Sequence, residues 1–286
     1  MLGQGCDSIR TDQTLTDRDG RRLNVLATII AVAIVSLKRD LSAMLADESK
    51  SKSLRRHGNR LLAQIPVEDY ERLRPHLKPV PLDYRAVLYK PQKAIEFVHF
   101  IESGVGSFVH VMKNGSAAEV GTIGNEGIVG LPVVFGARAA LSGVYMQVPG
   151  AGLRMSARIF NEQMNLSEPL RKSILRYANA FFNQVAQSAA CAYFHPLEMR
   201  CCRWLTMTRD RMPSDEFLLT QEFLAMMLGV RRPSVSTTMA SLQRKGLLRY
   251  NRGNVTVLDR KGLQAAACEC YKATKAEFDL LLGAPD

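Results

Sequence analysis

The sequence predicts an α+β chain made of a barrel of short strands, a long helix, and a C-terminal helical part closed by a hairpin. Three observations carry that prediction. From about Val80 to Ser156 short strand-like runs alternate with turn residues. From Pro169 to Phe194 apolar side chains recur every three or four positions. Between Thr220 and Tyr250 the chain reads TQEFLAMMLGVRRPSVSTTMASLQRKGLLRY, two short helices with a glycine between them. The expected division is 1–58 as a poorly structured or mis-annotated extension, 59–167 as the barrel, 168–194 as the long helix and 195–286 as the C-terminal domain.

Taken in order, the extension holds Arg21-Arg22, then the apolar run VLATIIAVAIVSL, then Lys38-Arg39-Asp40. As a helix that run would rise about 20 Å, short of the roughly 30 Å hydrocarbon core. No small-x-small cleavage site follows it before the next charges. An extension or start-site artefact (translation beginning at Met44), a docking helix and a membrane tether all remain open, and no stable membrane association is expected. DESKSKSLRRHGNR then reads as a linker.

The strand-like runs are AVLYK, EFVHFIES, GSFVHVMK, AAEVGTI, GVYMQVPG and GLRMS, and Asn114-Gly115 is a hairpin dipeptide. Strands at this spacing suggest a β-barrel or jelly roll rather than a βαβ sheet. His99 and His110 fall in such runs, and a lone histidine per strand reads as a satisfied or surface residue rather than a metal or haem ligand.

Pro169 suits the first turn of the long helix, and His195-Pro196 breaks it. Leu170, Ile174, Tyr177, Phe181, Gln184, Ser188 and Cys191 form an approximate heptad seam, and the small residues of NQVAQSAACA allow close helix contact. Phe181 and Phe182 are adjacent and cannot face one side. A helix with two apolar sides suits a dimer axis that also touches its own barrel, with Ile174, Tyr177, Phe181 and Ser188 as the expected dimer contacts.

In the C-terminal part Thr220 is the N-cap of the first helix, with Glu222 in its first turn, and Gly229 supplies the left-handed residue that stops it. Pro233 starts the second helix and Gly246 ends it. Ala225, Gly229 and Val235 fall at helix-turn-helix spacing: a small residue, a turn and an apolar anchor. Val235, Met239 and Leu242 make the buried stripe of the second helix. Pro233, Ser234, Thr237, Ser241 and Arg244 lie opposite, flanked by Arg231, Arg232 and Lys245. Small hydroxylated residues allow close approach to a major groove, and cations at both ends meet phosphate. LLRY, NRGN and VTVL then form a hairpin wing turning at Gly253, which brings Arg252 to the DNA backbone. The expected DNA contacts are Gln221, Arg231, Arg232, Pro233, Ser234, Ser236, Thr237, Ser241, Arg244 and Arg252.

These stretches, from HPLEMRCCRWLTMTRDRM through VTVL, resemble the C-terminal domain of the Crp/Fnr superfamily of bacterial transcription regulators, and the resemblance extends more weakly back to about Asn59. It implies a barrel of the cyclic-nucleotide-binding type (a double-stranded β-helix), dimerisation through the long helix, an inverted-repeat duplex operator, and RNA polymerase as a partner. In that family an Arg-Glu-x-x-x-Arg motif reads bases. Arg232 matches its first arginine, while Pro233 and Thr237 replace the other two residues. The family's phosphate-binding cassette corresponds to GNEGIVGLPVVFGARAALSGVYMQ, where Glu126, Gly127, Gly130 and Ser142 are the candidate ligand residues. Leu141 stands where the phosphate-binding arginine belongs, and Arg138 is a poor geometric substitute, so cyclic AMP is not the expected effector.

Composition agrees. The chain has 286 residues, 47% hydrophobic, and a net charge of +11, which favours a polyanionic partner. Cys6, Cys191, Cys201, Cys202, Cys268 and Cys270 show neither secretory nor zinc-type CxxC spacing and read as reduced cytosolic thiols. Cys268 and Cys270, taken as i, i+2 on a helix, should point apart, and no metal site or cofactor is expected. No HExxH, Walker loop, GxSxG or dinucleotide fingerprint is present, so an enzyme is not expected. The reading is a cytoplasmic, homodimeric DNA-binding regulator without an identified effector. Its alternatives are a constitutive regulator whose barrel is only a dimerisation scaffold, and a cyclic-nucleotide-responsive one.

Overall fold

The computed structural model describes residues 58–283. The apolar run VLATIIAVAIVSL and Cys6 lie outside the described residues, as does the expectation attached to them. Asn59 lies at the start of the described residues. Its Oδ1 accepts from Leu62 N at 3.2 Å, capping α1 (Arg60–Gln64). Its amide donates to the carbonyls of Ile101 and Gly127, both at 2.8 Å, so the cap also seats this helix on the barrel. α2 (Val67–Leu73) follows.

The barrel comprises β1 (Lys78–Leu82), β2 (Val87–Tyr89), β3 (Phe97–Ile101), β4 (Val105–Val111), β5 (Ala117–Ile123), β6 (Ile128–Val129), β7 (Gly143–Val148) and β8 (Gly150–Ser156), with the short α3 (Leu131–Val134) after β6. Two antiparallel four-stranded sheets form, ordered β1-β8-β3-β6 and β2-β7-β4-β5. Eight strands in two such sheets are the arrangement of a jelly roll. Val98, Phe100, Ile128, Val144, Met146 and Met155, none more than 1% exposed, fill its core. KPVPL, with two prolines, does not look like a strand in the sequence. β1 pairs only with β8, and at a sheet edge alternate missing N–H groups cost no ladder bond.

α4 (Ala157–Leu166) leads to the long helix α5 (Glu168–Phe194), whose N-cap Ser167 accepts from Leu170 N at 3.1 Å. α5 corrects the expected dimer contacts. Ile174 and Tyr177 are fully buried and Phe181 is 7% exposed, all within the barrel's own core cluster. Ser188 is half-buried, and its Oγ accepts from Arg203 Nη2 at 3.2 Å. The seam read from the sequence is therefore the protomer's internal seam. A second heptad stripe, Leu175, Asn179, Phe182, Ala186, Ala189 and Tyr193, spaced by four and three, is exposed along its length. A helix with two such stripes cannot reveal, from period alone, which one its own barrel covers.

The remainder is α6 (Leu197–Asp210), β9 (Glu216–Leu218), α7 (Gln221–Leu228), α8 (Arg232–Arg244), β10 (Leu248–Asn251), β11 (Asn254–Val257), α9 (Arg260–Ala266) and α10 (Cys270–Leu282). β9 joins the wing as a third strand, in the order β10-β11-β9. Within the 195–286 segment α10 does not extend the domain built around α7 and α8. It returns along α5, with Phe278 6.3 Å from Tyr177 and Leu282 buried in the barrel's cluster. Among the described residues no helix is long and apolar enough to cross a membrane.

Candidate nucleic-acid interface and effector site

The helix pair is built as its caps dictate. Thr220 Oγ1 accepts from Phe223 N at 3.2 Å, and Gly229, at φ 64°, ends α7 in the left-handed conformation. Val235, Met239 and Leu242 are at most 1% exposed and anchor α8. Arg231, Arg232, Pro233, Ser234, Thr237 and Arg244 are exposed. The other expected contacts are partly engaged. Ser236 is half-buried and donates to Gln221 Oε1 at 2.5 Å, which ties α8 to α7. Ser241 donates to Glu198 Oε2 at 3.0 Å, so its hydroxyl points back toward α6; Lys245 pairs with the same carboxylate. Thr237 Oγ1 is turned onto the Pro233 carbonyl at 3.1 Å. Arg232 Nε pairs with Glu222 Oε1 at 2.8 Å, both side chains remaining well exposed. In the wing Arg252 and Gly253 take φ 46° and 88° between Asn251 and Asn254, a two-residue turn that presents Arg252 at its tip.

The cassette-like stretch is put to a different use from the one its glycines suggest. Glu126 is 4% exposed and faces Arg211, just past the end of α6. Arg211 Nε donates to both carboxylate oxygens at 3.0 Å and Nη2 to Oε1 at 2.7 Å, a two-pronged ion pair. Burial works against the charge on Glu126, but the guanidinium holds its carboxyl below the usual glutamate value. Gly127 lies against the ring of Tyr177, and a Cβ there would come within 2.3 Å of it. Gly130 takes φ 117°, closed to most side chains, at the start of α3. Ser142 is buried with its Oγ 3.2 Å from His110 Nδ1, whereas Leu141 is 71% exposed. Beside α5 a groove of 380 Å³ is walled by Tyr89, Phe108, Ile128, Leu131, Phe135 and Phe182, with no cation among its lining residues.

Residues 199–266 match the family model described as a Crp-like helix-turn-helix domain. The chain carries a Crp-like DNA-binding domain. Its fold is that of the Crp/Fnr regulators. FixK2 from Bradyrhizobium japonicum is 10% identical with a TM-score of 0.58, over 67% of this chain and 98% of that one. A transcriptional regulator of the Crp/Fnr family from Eubacterium rectale is 16% identical with a TM-score of 0.57, over 72% and 96%. The c-di-GMP-responsive global regulator CLP of Xanthomonas campestris is 15% identical with a TM-score of 0.55, over 68% and 100%. No curated protein matches the chain.

The Crp-like domain is docked on its own barrel, which sequence reasoning did not foresee. Val105, Val109 and Val148 of the barrel share a hydrophobic cluster with the domain's Trp204, Phe223, Leu224 and Met227. Tyr145 stacks edge-on to Phe223 at 5.9 Å. Trp204 Nε1 donates to Glu119 Oε1 at 2.8 Å, and Ser107 Oγ lies 2.5 Å from Glu119 Oε2 and also contacts Gln147 Oε1. One hydroxyl hydrogen cannot serve two acceptors. Turning the Gln147 amide, whose Nε2 has no partner among the described residues, resolves the chain: Gln147 then donates to Ser107, and Ser107 donates to Glu119. Burial pushes the Glu119 carboxyl up to about 7, against the opposing pull of Ser107 and Trp204.

Sequence reasoning also missed a side-chain cluster. Cys191, His195, Cys268 and Cys270 place their ligand atoms within 4.8 Å of one another. The expectation that Cys268 and Cys270 diverge assumed a helix through both. Cys268 lies in the turn before α10 and Cys270 is that helix's first residue, so helical divergence does not apply.

Proposed function

We propose that this protein is a homodimeric transcription regulator that reads an inverted-repeat duplex site with α8, and that its barrel does not respond to cyclic AMP. The domains would be a sensor-type barrel over 59–167, the dimer helix over 168–194 and the reader from 195 to the end of α9, with α10 returned onto α5 and the barrel. The observation that carries DNA reading is α8 itself. A fully buried stripe leaves Arg231, Arg232, Pro233, Ser234 and Thr237 exposed on the opposite side of a Crp-like domain, with Arg244 at the far end and Arg252 on the wing. Gln221, Ser236 and Ser241 act on the geometry of that face through their hydrogen bonds rather than as free readers.

Dimerisation is supported by the exposed heptad stripe of α5, headed by Leu175, Phe182 and Tyr193. Two readers joined along such an axis would meet half-sites about 34 Å apart. The case against cyclic AMP rests on Glu126, whose carboxylate is already taken by Arg211, and on the absence of a cation around the groove beside α5. The same buried pair favours the second reading, a constitutive regulator in which the barrel holds the reader in place.

Selection of binding sites from random duplexes by the full chain tests DNA reading. Arg232→Ala should then cost about 1–3 kcal/mol on the selected site if it contacts a guanine in bidentate fashion. Equal weakening on every duplex would make it a phosphate contact instead. Calorimetric titration with cyclic AMP should show no binding, and micromolar binding abolished by Ser142→Ala would reverse the effector assignment.

A further inference from the structure

We propose that Cys191, His195, Cys268 and Cys270 form a closed tetrahedral site for one thiophilic divalent ion, zinc(II) in kind, which fastens the end of the long helix to the turn behind the reader. Three thiolates and one imidazole are among the donor sets that structural zinc uses, and four protein ligands leave no open position for chemistry. The cage has the right size. Bonds of about 2.3 Å in a tetrahedron set neighbouring ligand atoms roughly 3.8 Å apart. Here Cys191 Sγ lies 3.5 Å from Cys268 Sγ, and Cys270 Sγ lies 3.5 Å from His195 Nδ1. All four ligand atoms fall within 4.8 Å of one another. An iron–sulfur cluster spreads its four protein ligands over two or more irons, around a body too wide for this cage.

The surroundings are built as well as the ligands. His195 Nε2 lies 3.0 Å from Glu269 Oε1, so Nε2–H donates to the carboxylate and Nδ1 presents its lone pair to the three sulfurs. This carboxylate–histidine arrangement orients metal-bound imidazoles in general. Gln187 Nε2 donates to Cys270 Sγ at 3.0 Å, support suited to a thiolate. The cysteines are 1%, 2% and 0% exposed, with Met199 packed on them. Three thiolates around a dication leave one net negative charge. Arg203 acts electrostatically on Cys191, and its Nε and Nη1 have no hydrogen-bond partner among the described residues. Loading the site releases three thiol protons to solvent.

Position gives the site its consequence. Cys191 is in the last turn of α5 and His195 is that helix's C-cap, the residue from which the chain departs into α6. Cys268 and Cys270 come just after α9. The ion would therefore pin the entry and the exit of residues 197–266 to one point. This coupling, unlike ion binding itself, rests on the DNA-reading assignment above.

The test uses the reduced full chain, stripped of metal and titrated with cobalt(II). One cobalt per chain should bind, with thiolate-to-cobalt charge transfer and the visible bands of a tetrahedral centre, and zinc(II) should displace it. Cys191→Ser, Cys268→Ser and Cys270→Ser should each lose stoichiometric uptake, whereas Cys201→Ala, in the reader's core, should keep it. Glu269→Gln should weaken uptake about 10- to 100-fold while preserving the tetrahedral spectrum, which a merely structural glutamate would not do. Should the serine variants unfold, alkylation mapped in the unaltered chain decides: zinc should shield Cys191, Cys268 and Cys270 relative to the chelated form. No tetrahedral spectrum, a spectrum indifferent to the three cysteines, or iron with labile sulfide on them overturns the site. The zinc form should bind the selected duplex at least tenfold more tightly than the chelated form. Equal affinity would leave a metal site but reject its coupling to the reader.

Discussion

The buried pair formed by Glu126 and Arg211 joins the barrel to the Crp-like domain, and breaking it should have a large, specific cost. Arg211→Met removes the guanidinium that donates three of its hydrogen bonds to Glu126, leaving the carboxylate with the Gly124 N–H at 3.1 Å. Both side chains are under a tenth exposed, so water cannot replace the lost partner without opening the interface. Removing one member of a buried pair costs about 3–5 kcal/mol, because the other charge stays behind. Glu126→Gln should cost a similar amount by stranding Arg211. The double variant should cost clearly less than the sum, with a coupling of about 2 kcal/mol or more. Trp204 is the only tryptophan in the chain and donates to the barrel's Glu119, so its fluorescence reports the interface directly. In urea, Arg211→Met should show the Trp204 transition before the loss of far-ultraviolet circular dichroism, as the reader leaves an intact barrel. The pair also sets an acid limit. With its folded pKa held below the ordinary value, Glu126 contributes stability above that value and loses it as the pH falls through the lowered one. Arg211→Met should abolish that acid-side loss. Single variants that each cost under about 1 kcal/mol and add without coupling would refute the lock.

Glu119 should act in the opposite direction. Its carboxyl is raised from 4.5 to about 7, so the folded state holds the proton more tightly, and stability is full below the lower value and declines as the pH rises through that window. The decline is at most about 3 kcal/mol and should disappear in Glu119→Gln, as followed by melting temperature from pH 4 to 8. On α5, Phe182→Glu puts a charge on the exposed stripe and should yield a folded monomer in sedimentation that has lost its selected duplex. Phe181→Ala, one position away, should instead cost about 3–5 kcal/mol of stability without changing the state of association. A Phe182→Glu protein that remains dimeric would place the interface elsewhere.

The helix pair was legible in the sequence because its signals are local. Thr220, Gly229 and Gly246 punctuate two helices, and Val235, Met239 and Leu242 mark the buried stripe within a single helical period. Six of the eight barrel strands announced themselves by β-rich runs. β1 was hidden by its prolines and β6 by being two residues long. In the cassette, the missing arginine at Leu141 was visible, but the use of Glu126 was not. Its partner lies 85 residues further along the chain, and no local pattern links them.

The sequence by itself thus determined six of the barrel strands, the long helix, the capped helix pair with its exposed basic face, and the presence of two apolar sides on α5, all of which follow from neighbours within one or two turns. Only the tertiary structure decided which stripe of α5 the barrel covers, that Arg211 occupies the carboxylate of Glu126, and that α10 folds back to bring Cys268 and Cys270 to Cys191 and His195. Those outcomes depend on contacts between residues far apart in the chain, where burial selects among side chains that look equivalent in local sequence.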